Sequence, residues 1–180
     1  MPVRLPVIVF LAASFAAAGA AQAEPKLAAG QFKSTDGAEA GSADLSEGPD
    51  GVLIRIEVEG LAPGWHGVHF HATGDCSDAK FMSSGGHINH PLKSEEKPHG
   101  LLNREGPDFG DLPNLHVAED GTGKAEMFSA LVSFDGQDER SMLFDADGSA
   151  IVIHAGADDH MSQPIGGAGA RVACAVLERE

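Results

Sequence analysis

Basic residues are scarce in this chain: 12 Lys and Arg stand against 27 Asp and Glu, for a formal net charge of −15 at pH 7. A surface of that sign repels phosphate backbones and anionic headgroups, so nucleic acid and anionic membrane are excluded as partners. Long hydrophobic runs are missing as well. The one apolar run, from Val7 to Ala18, is short for a membrane span. It follows Arg4 and leads to Ala21-Gln22-Ala23, a small-x-small cleavage pattern. It therefore reads as a secretory signal peptide over residues 1–23, cleaved after Ala23, with a mature domain over 24–180. The expected location is periplasmic or secreted, with no membrane attachment after cleavage. Cleavage removes only one charge, that of Arg4, and leaves the mature chain more acidic still.

Cysteine is nearly absent, with Cys76 and Cys174 alone. In an exported chain an even pair reads as a disulfide, two buried free thiols being the alternative. Internal repeats, long low-complexity segments and any convincing helical period are missing too. What is present is strand. Ile54, Ile56 and Val58 alternate with Arg55, Glu57 and Glu59, the pattern of a half-buried strand. Gln31–Thr35, Leu115–Ala118, Lys124–Phe128, Ala150–His154 and Arg171–Leu177 read as further strands, with Glu119–Gly123 as a hairpin turn. These short strands predict an all-β, antiparallel sandwich or barrel. Two irregular stretches interrupt it, residues 72–113 and 155–169. The first is far longer than an ordinary connection, so it is expected to be functional or held down by something.

The chemistry centres on Trp65-His66-Gly67-Val68-His69-Phe70-His71. Residues at i and i+2 of a strand share a face, so His69 and His71 present two imidazoles to one point. Imidazole is a favoured ligand of copper, zinc, iron and nickel. His87, His90 and His99 lie in the first irregular stretch, and His154 ends a strand.

Five pieces in order carry a resemblance: His69-Phe70-His71, Gly85-Gly86-His87-Ile88-Asn89, Gly110-Asp111-Leu112, His154–Asp159 and Gly169–Cys174. Together they resemble the copper/zinc superoxide dismutases, over about Gln31 to Leu177. The resemblance implies an eight-stranded Greek-key β-sandwich or barrel with two long functional loops. It implies dismutation of superoxide to oxygen and hydrogen peroxide at a redox-cycling copper beside a zinc site. By position, His69, His71, His87 and His154 match the copper ligands, and His87 bridges to zinc. His99 and Asp111 match zinc ligands. Asp158 matches the carboxylate that bonds one ligand of each metal. Arg171 matches the cation that guides superoxide, and with His87 it carries the catalytic roles. Cys76 and Cys174 match the family disulfide.

One position departs from the family. Asp108 stands where the family places a zinc histidine, and a carboxylate oxygen is also a competent zinc ligand. The zinc set is then His87, His99, Asp108 and Asp111, with His90 or water as other occupants of that place. The rival reading is a copper-binding or copper-buffering protein of the same fold without turnover. Family members differ in oligomeric state, and a homodimer is open to this chain. His66 is expected to support the strand by hydrogen bonding, His116 to sit exposed on a strand, His160 to lie in a loop and His90 to be solvated. Trp65 is read as a packing residue. The dispersed Met82, Met127, Met142 and Met161 are read as packing rather than as a thioether site.

Overall fold

The structure is a computed structural model that describes Met1 and residues 24–180. The leader read at 1–23 lies, Met1 apart, outside the described residues. Twelve strands occur among the described residues: β1 Lys26–Ser34, β2 Glu39–Gly48, β3 Gly51–Val58, β4 Gly64–His66, β5 Val68–His71, β6 Leu115–Val117, β7 Gly123–Ser129, β8 Val132–Ser133, β9 Ser141–Met142, β10 Ala150–His154, β11 Arg171–Val176 and β12 Glu178–Arg179. Two single 3₁₀ turns, Met82–Ser84 and Lys93–Glu95, are the helical elements among the described residues.

The main sheet runs β4-β6-β7-β3-β2-β1-β11-β10-β5, with β12 beside β1. Its end strands β4 and β5 are consecutive in the chain and separated only by Gly67. The path therefore closes on itself, and with β4–β5 counted as one interrupted strand it is a barrel of eight. The β3-to-β4 connection passes over β6 and β7, which return β7 to the side of β3, a Greek key. The expected architecture holds. β8 and β9 form a small separate parallel pair.

Alternation explains the core. β3 turns Val52, Ile54, Ile56 and Val58 inward. They meet Phe32, Leu45, Phe70, Leu115, Ile151 and Ile153, all essentially inaccessible. β2 is the strand the sequence pattern concealed. Its inward positions are Ala40, Ala43, Leu45 and Glu47, two small residues, one large and one charged. Glu47 is tolerated because Oε1 accepts the Phe134 N–H at 2.7 Å and Oε2 lies 3.0 Å from Lys26 Nζ.

β5 and β10 are buried on both faces. Val68, Phe70, Ile151 and Ile153 point into the barrel. The opposite face carries His69 and His71, with Val152 across from His69 and Ala150 across from His71. Two loops cover that face. The first, residues 72–114, returns to the strand edge twice: Phe70 N donates to Gly110 O and Ile88 N donates to Phe70 O, each at 2.9 Å. The disulfide Cys76–Cys174 ties it to β11, closing a separation of 98 residues. A loop of that size is worth roughly 4–5 kcal/mol in the chain-entropy account. The second loop, residues 155–170, reaches Gly67, whose N donates to Gly156 O at 2.8 Å. A side chain at Gly67 would stand 2.9 Å from Ala168 Cβ and 3.2 Å from Asp158 Cβ, so this loop can close over the strand only across a glycine.

Candidate metal centre

The closed face gathers the histidines that the sequence singled out. His69 and His71 come from β5, His154 from the end of β10, and His87 from the first loop, bridged to His71. One donor atom from each of the four lies within 4.8 Å of the others. His69 Nδ1, His71 Nε2, His87 Nε2 and His154 Nε2 are all buried and lack any hydrogen-bond partner. The other nitrogen of each ring is engaged. His69 Nε2–H donates to Asp158 Oδ2 at 2.8 Å, and His71 Nδ1–H to Gly85 O at 2.9 Å. His154 Nδ1–H donates to Gly169 O at 3.0 Å, and His87 Nδ1 is 2.9 Å from Asp108 Oδ2. Each ring is thus held in the tautomer that turns a lone pair toward one point. Ligands across one metal at ~2.0–2.1 Å stand roughly 4 Å apart, so the cluster has the size of a coordination sphere. Burial keeps His69, His71 and His154 neutral. It pushes His69 down to about 3, His71 to about 2 and His154 to about 4.

A second point lies on the far side of His87. His99 Nδ1 and Asp111 Oδ1 are 2.5 Å apart, both buried on that side. Asp111 Oδ2 is occupied by the N–H groups of Gly100 at 2.7 Å and Asp108 at 3.1 Å, which leaves Oδ1 free to face inward. Asp108 is buried; its Oδ1 accepts the Gly110 N–H at 3.0 Å, and its Oδ2 lies 3.8 Å from His99 Nδ1. His87 Nδ1 lies 3.8 Å from Asp111 Oδ1. Ligands of a tetrahedral zinc stand roughly 3.3 Å apart, and the contacts of these four side chains bracket that spacing. Donors of His69, His87, His99 and Asp111 also lie within 4.8 Å of one another. His69 nevertheless belongs to the first point, because its Nε2 is committed to Asp158. Asp108 Oδ2 lies beside the second point, 2.9 Å from His87 Nδ1.

Charge at the second point is shared between His99 and its carboxylates. Burial disfavours charge on His99, but Asp111 and Asp158 outweigh it and raise that ring to about 10. Burial pushes the Asp108 carboxyl up. Burial also opposes ionisation of Asp111, yet His99 and the Gly100 N–H hold it below the usual carboxylate range.

Asp158 joins the two points. Its Oδ2 accepts from His69 and its Oδ1 from His99 Nε2–H at 3.1 Å. Despite burial, these contacts and the His160 N–H hold it well below the usual carboxylate range. Gly166 permits this placement. It has φ +58, and a Cβ there would fall 1.6 Å from Asp158 Oδ1. Arg171, the first residue of β11, is half-buried at the rim of the same face. Its guanidinium donates to Phe81 O, Ser84 Oγ and Gly85 O.

Two supporting residues carry no sequence signal. Asn114 brackets the Asp158 backbone, donating to its carbonyl at 2.8 Å and accepting its N–H at 2.9 Å. Gln163 does the same for His99, at 2.8 and 3.1 Å. Both are ordinary loop amides until the fold pairs them.

The remaining histidines fall mostly as read. His66 is buried, and its ring joins His154 O at 2.6 Å and Ala62 O at 2.8 Å, supporting the strand. His116 is exposed, and His160 lies in the second loop. His90 departs from expectation. It is half-buried, edge-on to Phe109 with ring centroids 5.1 Å apart, and takes no part in the second point. Trp65 is also corrected. It points outward, 57% exposed, against His116 alone among the aromatic rings, because His66 and not Trp65 takes the inward position on β4.

The copper/zinc superoxide dismutase family model matches residues 39–177. A superoxide dismutase [Cu-Zn] of Caulobacter vibrioides is 51% identical over 146 residues, covering 81% of this chain and 82% of the relative. A crystal structure of a double mutant of a superoxide dismutase-like protein from Bacillus subtilis superposes with a TM-score of 0.75 at 38% identity, over 82% of this chain and 94% of that one. The Cu/Zn superoxide dismutase of Brucella abortus gives 0.64 at 29% identity, over 84% and 99%. With a closed Greek-key barrel, a histidine cluster on its covered face and matches spanning most of its length, the chain belongs to the copper/zinc superoxide dismutase family.

Proposed function

We propose that this chain dismutates superoxide to oxygen and hydrogen peroxide. In this reading copper is held by His69 Nδ1, His71 Nε2, His87 Nε2 and His154 Nε2. Zinc is held by His87 Nδ1, His99 Nδ1, Asp108 Oδ2 and Asp111 Oδ1. The observation that carries the reading is the set of buried ring nitrogens without partners, converging from three segments on one point while His87 turns its other nitrogen to the second. Copper supplies the one-electron exchange that zinc cannot, and the two carboxylates balance the charge of zinc.

The chain's own residues do the rest. Arg171 attracts the anion and orients it with its remaining N–H groups, a local cation on a strongly acidic protein. When free of the metal, His87 Nε2 would take up a proton and deliver it to the product, since Nδ1 faces the zinc side. His71 and His154 are fixed by backbone carbonyls and stay neutral. The covered face admits a small anion at its rim and excludes bulk water from the donors.

The signal-like leader, with the mature domain at 24–180, supports export to the periplasm or beyond. The Cys76–Cys174 disulfide agrees with an oxidising compartment. No helix of the described residues is long and apolar enough to cross a membrane. All donors come from one chain, so a monomer or a homodimer serves equally.

The test is superoxide decay catalysed by the oxidised, copper-loaded mature protein, with and without zinc. Rates approaching ~10⁸–10⁹ M⁻¹s⁻¹ are expected. Slow decay at full copper occupancy would overturn the reading and leave copper buffering. Asp108→Ala is expected to weaken zinc by at least ~10-fold in a competition titration with a chromogenic chelator. Unchanged zinc affinity would remove Asp108 from the ligand set.

A further inference from the structure

We infer that Ser84 is a positioning residue for Arg171, and that Asp78 sets the turn presenting it. The inference rests on the role of Arg171 proposed above. Arg171 Nη1 donates to Phe81 O at 2.5 Å and to Ser84 Oγ at 3.1 Å, and Nη2 donates to Gly85 O at 2.7 Å. A guanidinium has five N–H donors in a rigid fork. Three are committed to the segment 81–85. Nε–H and one Nη2–H remain, a pair suited to a diatomic anion.

Ser84 is completely buried, and among the described residues its hydroxyl is the only side chain hydrogen-bonded to Arg171. The same oxygen donates to Phe81 O at 2.8 Å. It therefore joins the guanidinium to one of that group's own acceptors and closes a small ring of bonds. Rotation about the last torsions of Arg171 breaks this ring. The Gly85 carbonyl also accepts from His71 Nδ1–H, so the clamp registers the guanidinium against a copper-facing ring.

Asp78 shapes the segment. Its carboxylate accepts from Lys80 N at 2.9 Å and Ser83 N at 2.7 Å, and its carbonyl accepts from Phe81 N at 3.0 Å. These bonds hold Phe81 at φ 56, a left-handed conformation that a bulky residue rarely adopts. The left-handed turn directs Phe81 O toward Arg171, while the ring packs against Ala150, Val152 and Cys174. A serine immediately before the glycine pair would be read from sequence as a loop residue. Its role exists only where β11 passes the loop.

The experiment measures the rate constant for superoxide decay and the affinity for azide, read on the Cu(II) charge-transfer absorption. Ser84→Ala should lower both by roughly 10-fold, the loss of one hydrogen bond to a charged donor. Copper content should stay unchanged. Ser84→Thr, which keeps the hydroxyl, should recover most of the loss. In an Arg171→Ala background Ser84→Ala should do nothing further, because the effect passes through the guanidinium. If Ser84→Ala fails to fold, Asp78→Asn tests the same coupling in the same two backgrounds. Full retention of rate and azide affinity in these variants, or an equal loss with Arg171 already removed, overturns the inference. An Arg171→Ala protein with unaltered rate and azide affinity overturns the role of Arg171 and this inference with it.

Discussion

His69→Ala is expected to reduce superoxide dismutation by at least ~100-fold and to empty both metal points, not one. His69 is inaccessible, and its two nitrogens face different partners. Nδ1 belongs to the four-histidine cluster, while Nε2–H donates to Asp158, which in turn receives His99. Truncation removes a ligand and also leaves Asp158 with one of its two imidazole partners. His71→Ala is the informative contrast. His71 bonds only to the Gly85 carbonyl, and that contact leads toward Arg171 rather than toward His99. It should cost copper and activity while zinc stays near wild-type stoichiometry. Elemental analysis of the two purified variants, after equilibration with both metals, reads the difference directly. Equal zinc content in His69→Ala and His71→Ala would show that Asp158 does not transmit the loss across the centre.

Much of this centre was legible before folding, because its signals are local. His69 and His71 share a face by strand geometry alone, and β3 declares itself through Ile54, Ile56 and Val58. The other ligands came from ordered short motifs, which survive even where the connecting loop has no period. The first irregular stretch was long enough to demand an anchor, and the Cys76–Cys174 disulfide provides one. What was hidden depends on pairing. β2 carries its inward face on Ala40, Ala43 and Glu47, residues that look solvated until Lys26 and the Phe134 N–H meet the carboxylate. β4 and β6 leave Trp65 and His116 on the outer surface, so a large aromatic that suggests packing is mostly bathed in solvent. His90 looks like a free loop histidine, but Phe109 folds against its ring. Asn114, Gln163 and Ser84 act on backbones or side chains tens of residues away, and no spacing rule reaches that far.

Asp158→Asn should cost copper first and zinc second, with each affinity lowered roughly 10- to 100-fold. The substitution keeps shape and removes only acceptor capacity. A carboxylate accepts from His69 Nε2–H and His99 Nε2–H at once, which leaves both Nδ1 atoms as lone-pair donors to their metals. An asparagine has one oxygen and one NH₂ group at the same two places. The ring that meets the NH₂ must accept there, so its proton moves to Nδ1 and its metal-facing lone pair is lost. His160 N–H already donates to Oδ1 at 2.6 Å, the oxygen that also serves His99. The amide oxygen therefore settles at that position and the NH₂ meets His69, or the turn at His160 gives way. The first arrangement weakens copper through His69, and the second weakens zinc through His99. The copper side should yield first, because the His160 N–H holds the amide oxygen opposite His99 and turns the NH₂ to His69. Activity should fall with copper occupancy and recover in part at excess copper. The heteronuclear NMR signals of the two rings in the zinc-bound, Cu(I)-loaded protein report the tautomers. If both rings keep a proton on Nε2 in Asp158→Asn, and both metals bind as in the parent, the tautomers are set by the metals themselves and Asp158 serves only to pack the loop.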